Sequence, residues 1–464
     1  MVEWEPERQP ASQQEQTSSF AERVSPLAGV VIAAFGLMAL GLLGFALTRV
    51  VSGLSLSQIV AYYLVPALWV AVSVLALRRS AEARVGFALL LLSIGCSLLV
   101  AEVGATVLSR AQRAGPTGPS LLDEVRQLRA SGADAFQVIV GNQLVNLNPH
   151  VRVGRETLHV VTPAPGHAII RLCSEDRPML TYASDRYGFD NPDSVWSAGA
   201  NSVTMIGDSY TVGVCVPSAD AIPGQLRATR PVVNLGISGS GPLQQLALLR
   251  EYGAQVKSKQ VVWILYEGND FWDLALEANR AWLTRYLSAG HVQALAAHAA
   301  AVDSGYRQWI DSISQRAPVV AAAAPLFSLR DILTLRALRA LVPVSIPLPG
   351  SGASIGLLPT ILARANAEVR GWGGELVVVY MPAYLRYRTV IGDPFPERAL
   401  VLAELSAQGI RVVDLHERFA RETNAKALWV TPRSHLTAQG YHLAASAIAR
   451  SLDSSRQPFG DAAR

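Results

Sequence analysis

The chain has 464 residues, of which 50% are hydrophobic and only 16% charged. That is too long for one ordinary domain and too apolar for a purely soluble protein. The net charge is +4 at pH 7, but the Lys and Arg residues are scattered and form no basic stripe interleaved with aromatics, which argues against a nucleic-acid partner.

Residues 1–25, rich in Glu, Gln, Ser and Pro with little to bury, read as a disordered cytoplasmic tail. Within residues 26–109, three nearly charge-free runs (27–48, 58–77 and 85–108) each have the length a helix needs to cross roughly 30 Å of hydrocarbon. Three transmembrane helices are expected. A cleaved signal peptide would have a shorter apolar core, and here two further spans follow the first, so the anchor is retained. Arg78, Arg79 and Arg84 crowd the loop between spans two and three, against Arg49 alone in the loop before it. That bias puts the second loop and the N-terminal tail inside, and everything after residue 108 on the outer face of the plasma membrane, although Arg110 and Arg113 pull the other way. Glu102, near the outer end of span three, is expected to be solvated at the interface. Cys96 lies in that span without an evident partner. Cys173 and Cys215 both fall in the exported part, where an oxidising compartment permits a disulfide between them, the alternative being two buried thiols.

Residues 110–200 read as a linker, marked by Gly115, Pro116, Gly118 and Pro119, then a short helix at 121–130 and a small β-rich lead-in with strand-like runs at Phe136 and Leu158. Residues 201–455 follow a strand, loop, helix rhythm. The strands are 202–206, 232–235, 261–266, 376–380 and 410–415, the pattern of a parallel sheet covered by helices on both faces. Between the third and fourth strands lies an insertion of about residues 280–372. Its segment 326–342 has Leu or Ile at helical spacing beside Arg330, Arg336 and Arg339, suggesting an amphipathic helix on a membrane surface, a lid, or a helix packed on the domain. Residues 456–464 are a tail.

In a parallel sheet, ligands sit beyond the carboxyl ends of the strands, and four motifs fall there in order: Gly207-Asp208-Ser209, Gly239, Gly268-Asn269-Asp270 and Ser434-His435. Attack on an ester carbonyl needs an activated hydroxyl, a base and donors for the oxyanion. Ser209 follows a glycine that permits a tight turn and precedes a helix N-terminus, so it is the candidate nucleophile. His435, with an imidazole that accepts a proton near neutral pH, is the candidate base. The Gly239 and Ser209 amides and the Asn269 side chain are the candidate oxyanion donors. Singly these are weak signals, since Ser209 could be a helix cap and Asn269 a turn residue; their order and placement carry the reading.

These residues resemble the SGNH, or GDSL, hydrolases, whose name lists the Ser, Gly, Asn and His matched here by Ser209, Gly239, Asn269 and His435. The resemblance covers roughly residues 200–452, less the insertion. It implies a three-layer α/β parallel-sheet domain of flavodoxin-like appearance, here preceded by three transmembrane helices. It further implies ester hydrolysis or acyl transfer without metal or organic cofactor. One departure is evident: the family's Asp three residues before the histidine is Pro432 here. A Ser–His dyad or a substitute acid such as Asp414, at the end of the preceding strand, would then orient the imidazole. Tyr384 and Arg386, with Tyr387 and Arg388, follow the fourth strand and are candidate substrate contacts for a sugar or acidic group, or else cap the surface.

The resulting expectation is a membrane-anchored serine esterase removing acyl groups, foremost O-acetyl, from an envelope polysaccharide or glycolipid. The alternatives are an O-acyltransferase using the same serine and, given Pro432, a non-catalytic glycan-binding scaffold. The partners expected are the membrane, the glycan and envelope-biosynthesis proteins.

Overall fold

The computed structural model describes residues 11–48, 54, 56–113, 121–173, 180–316, 328–342, 344, 355–430 and 435–454. It divides into two compact units: Met1–Gly115 with Ala323–Ser351 and Val390–Asp393, and Pro116–Ala322 with Gly352–Thr389 and Pro394–Arg464.

In the larger unit the lead-in holds β1 (Ala135–Gln137), a hairpin of β2 (His150–Val153) and β3 (Glu156–His159), then β4 (Ile169–Cys173) and β5 (Leu180–Ala183). β1 pairs parallel to β4, and β4 antiparallel to β5. The main sheet comprises β6 (Val203–Gly207), β7 (Val232–Asn234), β8 (Gln260–Tyr266), β9 (Glu375–Met381) and β10 (Arg411–Asp414). All pairs are parallel, in the order β10-β9-β8-β6-β7. Its inner strands are continuous apolar runs because both faces are covered: every residue of β6, Val261–Leu265 of β8 and Leu376–Met381 of β9 are buried. The last helix, Ala438–Ser454, buries Tyr441, Ala444, Ala445, Ile448 and Leu452, the stripe that a 3.6-residue period aims at one face. Strand order doubles back at β6. The chain moves outward to β7 and then returns past β6 to β8, so loops leaving β6 and β8 diverge above a crevice, the switch point at which doubly wound sheets bind ligands.

The smaller unit contains three helices long and apolar enough to cross a membrane, Phe20–Thr48, Leu56–Leu77 and Ala81–Leu108, with mean hydropathy 2.5, 2.1 and 2.1. Ala28 and Ile32 of the first pack on Ala88 and Leu91 of the third. Gly36 lets the second approach closely, since a Cβ there would stand 3.0 Å from Cβ of Ser73.

Three expectations need correction in this unit. Residues 11–25, expected within a disordered tail, are helical: they open the helix Ala11–Thr48, which extends the first apolar run toward the N-terminus through residues that continue a helix already nucleated. Glu102 is not solvated: it is 1% exposed, and its two carboxylate oxygens accept from the amides of Ala337 (2.7 Å) and Leu338 (2.8 Å). Amides of a helix's first turn have no partner within the helix, and a carboxylate both satisfies them and complements their positive end. The segment 326–342 is also not one helix. Its described part forms Leu329–Leu333 and Arg336–Leu341, broken at Leu335, whose φ of 49° lies in the left-handed region. Arg336 and Arg339 are exposed on the second of these helices.

Candidate active site

β6 ends in Gly207, whose φ is 149°. A Cβ there would come within 2.7 Å of the Ile264 carbonyl oxygen on β8, so only glycine lets the two strands stay paired through this turn. Asp208 caps the short helix Ser209–Val212 by accepting from the Tyr210 amide at 2.9 Å. Ser209 heads that helix, 8% exposed, and its hydroxyl donates to Asp208 Oδ2 at 3.4 Å.

The loop after β7 is tied to the same turn. The amide of Ile237 donates to the Gly207 oxygen at 3.1 Å, and Ser240 Oγ donates to it at 3.3 Å, which brings Gly239, left-handed at φ 68°, over the end of β6. After β8, Asn269 precedes the helix Asp270–Glu277, and its Nδ2 donates to Asp273 Oδ2 at 2.6 Å. Ser209, Gly239 and Asn269 therefore stand on three loops at the carboxyl edge of adjacent strands.

His435 reaches this edge from the C-terminal side. A bridge between Trp429 and Leu436, and the Val430 amide donating to the His435 oxygen at 2.9 Å, hold its backbone. Its ring lies 5.4 Å from that of Tyr210, and Nδ1 is 4.0 Å from Cys215 Sγ. Cys215 belongs to the turn that begins at Ser209, whose carbonyl accepts from the amides of Gly213 and Val214. Residues 209 and 435 thus share one corner of the fold. Cys215 is disulfide-bonded, and Cys96 is an exposed free thiol. The side chain of Cys173, the remaining cysteine, and all of Pro432 lie outside the described residues.

Beneath the loops four carboxyl groups are crowded together. Burial pushes Asp208 up to about 7, Asp273 up to about 6 and Glu277 up to about 8, and Asp270 well above its ordinary value, with repulsion from Asp273 adding to the rise of the other three. Glu277 accepts from the amides of Gly241 (2.7 Å) and Leu243 (2.9 Å), capping the buried helix Pro242–Leu248 that follows Gly239. Among the described residues, no group of three or more His, Cys, Asp and Glu side chains is arranged to hold a metal ion.

Two expected site residues are placed elsewhere. Asp414 accepts from the His416 amide at 2.9 Å and pairs with Arg398, with no bond to His435. It ends edge strand β10, which β9 and β8 separate from β6, about 14 Å across the sheet. Arg386 is committed to Glu267, a 0% exposed carboxylate, through Nη2 at 2.8 Å and Nε at 2.9 Å, and to the Phe395 carbonyl at 2.9 Å. Such a buried pair serves the fold. Tyr384 is half-buried, edge-on to Trp429 at 6.0 Å. The residue that sequence reasoning missed is Asn142, in the lead-in: its side chain hydrogen-bonds Asp273, and a Cβ on Gly239 would lie 3.3 Å from its Nδ2. Nothing in the local pattern distinguishes it.

Residues 205–443, more than half of the chain, match the model of the GDSL-like Lipase/Acylhydrolase family. The chain belongs to this family. It is accordingly an ester-hydrolysing enzyme with an α/β domain that follows three long apolar helices. No curated protein matches it. Similar solved structures include a lipolytic G-D-S-L family protein from Veillonella parvula DSM 2008 (14% identity, TM-score 0.30, covering 54% of this chain and 96% of that one). Others are the lipase/acylhydrolase from Enterococcus faecalis (13%, 0.30, 55% and 96%) and a GDSL-like lipase from Bacteroides thetaiotaomicron VPI-5482 (14%, 0.31, 57% and 96%). The family match leaves the apolar helices and the lead-in, with Asn142, outside it.

Proposed function

We propose that this enzyme is a membrane-anchored serine esterase that removes acyl groups, foremost O-acetyl, from an extracytoplasmic envelope glycan or glycolipid. The observation carrying the chemistry is the convergence of Ser209, Gly239 and Asn269 at the switch point, with His435 in the same corner. Ser209 Oγ turns from Asp208 to the imidazole, gives up its proton to it and attacks the carbonyl carbon. The amides of Ser209 and Gly239 and the Asn269 side chain donate to the resulting oxyanion. The imidazolium returns the proton to the departing sugar oxygen, leaving an acyl-Ser209; water, deprotonated by His435, then releases the acid and restores the hydroxyl.

Three apolar helices support anchoring, and the Arg78, Arg79 and Arg84 cluster supports an external catalytic domain. An anchor suits a substrate that is itself fixed in the envelope. A bond from Cys215 to Cys173 is part of this reading, since an external domain meets oxidising conditions.

The test is hydrolysis of p-nitrophenyl acetate and of O-acetylated oligosaccharides by the detergent-solubilised full chain. Release of acetate by wild type and its absence in Ser209→Ala support the proposal, and equal rates overturn it. Acetylated sugar products formed from a donor ester would reassign the enzyme to transfer.

A further inference from the structure

We propose that Asn142 and Asp273 are positioning residues of the acyl site: the Asp273 carboxylate accepts from the amides of Asn142 and Asn269 together, and so holds Asn269 with its nitrogen, not its oxygen, toward the oxyanion. The inference rests on the esterase reading above and adds to it a residue from outside the family-matched region.

The lead-in is built against the Gly239 loop. The Gly141 amide donates to the Ser238 carbonyl at 2.7 Å, and a Cβ on Gly141 would come within 2.7 Å of Ser240 Cα and 2.6 Å of Gln244 Oε1. This approach delivers Asn142 beside Gly239. A second tie, from Arg280 Nη2 to Asn146 Oδ1 at 2.8 Å, anchors the same lead-in helix, Gly141–Leu147, just beyond the helix that carries Asp273.

A primary amide presents a donor and an acceptor of nearly equal size, and a half-turn about its last torsion exchanges them. An ionised carboxylate only accepts. With Asp273 Oδ2 at 2.6 Å from Asn269 Nδ2, a flipped Asn269 would set its oxygen against a carboxylate and lose a charge-assisted bond. Held this way, Asn269 spends one N–H on Asp273 and keeps the other for the substrate oxygen. Asn142 supports the arrangement by giving the carboxylate a second donor.

The electrostatics are consistent. Burial raises Asp273, while the hydrogen bonds from Asn269 and Asn142 lower it, to a net value of about 6. Asp208, on the turn after β6, and Asp270 and Glu277, on Asp273's own helix, are the charged groups whose repulsion couples to it. Without the Asn142 donor, Asp273 takes up its proton at a higher pH. Its hydroxyl can then donate to a flipped Asn269 oxygen, and the oxyanion donor is lost.

The experiment measures kcat and KM against pH for p-nitrophenyl acetate with the full chain in detergent, comparing wild type, Asn142→Ala, Asp273→Asn and the double variant. Each single variant is expected to lower kcat about 10- to 100-fold, less than the roughly 100- to 1000-fold of deleting a donor outright, with little change in KM. Asn142→Ala moves the acid limb of kcat to higher pH, and the double variant is no worse than the poorer single one, because both act through one amide. An unchanged kcat and acid limb in Asn142→Ala, or multiplicative losses in the double variant, overturns the proposal. If Asn142→Ala loses its cooperative thermal transition, Asn142→Ser is measured in its place by the same criteria. An inactive wild type whose Ser209 resists a fluorophosphonate probe defeats the esterase reading itself, and this proposal with it. An active wild type with an indifferent Asn142 defeats this proposal alone.

Discussion

The three long helices and the five-stranded sheet are built from the same Leu, Val, Ile and Ala, yet they use them oppositely. Of the most apolar window in each helix, only 17%, 11% and 17% is buried within the protein, and side chains such as Leu37, Leu68 and Val100 point outward. In β8 and β9 the apolar runs are wholly enclosed. Hydrophobicity by itself does not distinguish the two fates. Length does: about 20 uninterrupted apolar residues exceed what one sheet layer covers, whereas runs of five to seven bounded by Gly, Asn and Asp fit between helices.

The regions also differ in how they bury acids. Glu102 stands among apolar side chains and receives two backbone amides. Asp208, Asp270, Asp273 and Glu277 stand among one another, so each raises the cost of ionising the next. A lone buried carboxylate locks one helix to another; the cluster lies beneath the converging loops of the candidate site.

Ser209 should separate the two regions with the largest effect. Ser209→Ala should lower kcat by about 10,000-fold or more while the far-ultraviolet helix signal stays unchanged, as expected of a residue confined to one region's chemistry. Arg386→Ala should come next. It strands the buried Glu267 charge, and denaturant unfolding should show the catalytic domain weaker by about 3–5 kcal/mol with KM barely altered. A shifted KM with normal stability would restore Arg386 as a substrate contact.

The carboxyl cluster predicts a pH dependence. Asp208 and Glu277 hold their protons to about 7 and about 8 in the folded protein, against ordinary values of 3.8 and 4.5. At these two groups the native state therefore binds more protons than the unfolded chain between those limits, and the cluster's contribution to stability falls as pH rises from about 4 to about 8. Thermal midpoints of the catalytic domain that climb over that interval would contradict the crowding. For the other region, Glu102→Leu leaves the Ala337 and Leu338 amides without their acceptor, at about 1–3 kcal/mol each. Hydrogen exchange at those two amides should accelerate while the unfolding of the sheet is unaffected. The smallest effect is assigned to Asp414→Asn, which should leave kcat unchanged and cost about 1 kcal/mol or less of stability, since an Asn oxygen still accepts from the His416 amide and only the charge on the Arg398 partner is lost. A large fall in kcat would reinstate it as the acid behind His435.

The legible part of this molecule consisted of features that repeat or sit at fixed offsets. The five short strands were visible because each is an apolar run closed by turn residues, and the loop positions of Ser209, Gly239 and Asn269 because each lies within a few residues of a strand's end. Asp414 gives a similar local signal, since it ends a strand, but strand order is not chain order, and β9 and β8 intervene between it and β6. Arg386 misled because a basic residue after a strand looks the same whether it meets a ligand or a buried Glu267.

From its amino-acid order alone this protein determined its three apolar helices, its alternation of strands and helices, and the family motifs, since all of these are local: periods, run lengths and neighbours along the chain. Only the folded structure decided that Asn142 joins Asp273 and Asn269, that Glu102 receives Ala337 and Leu338, and that the helix expected at 326–342 breaks at Leu335. The first two of these are pairings that span more than a hundred residues of chain, and a buried donor or acceptor takes whichever partner the packing brings within reach, which no local pattern encodes.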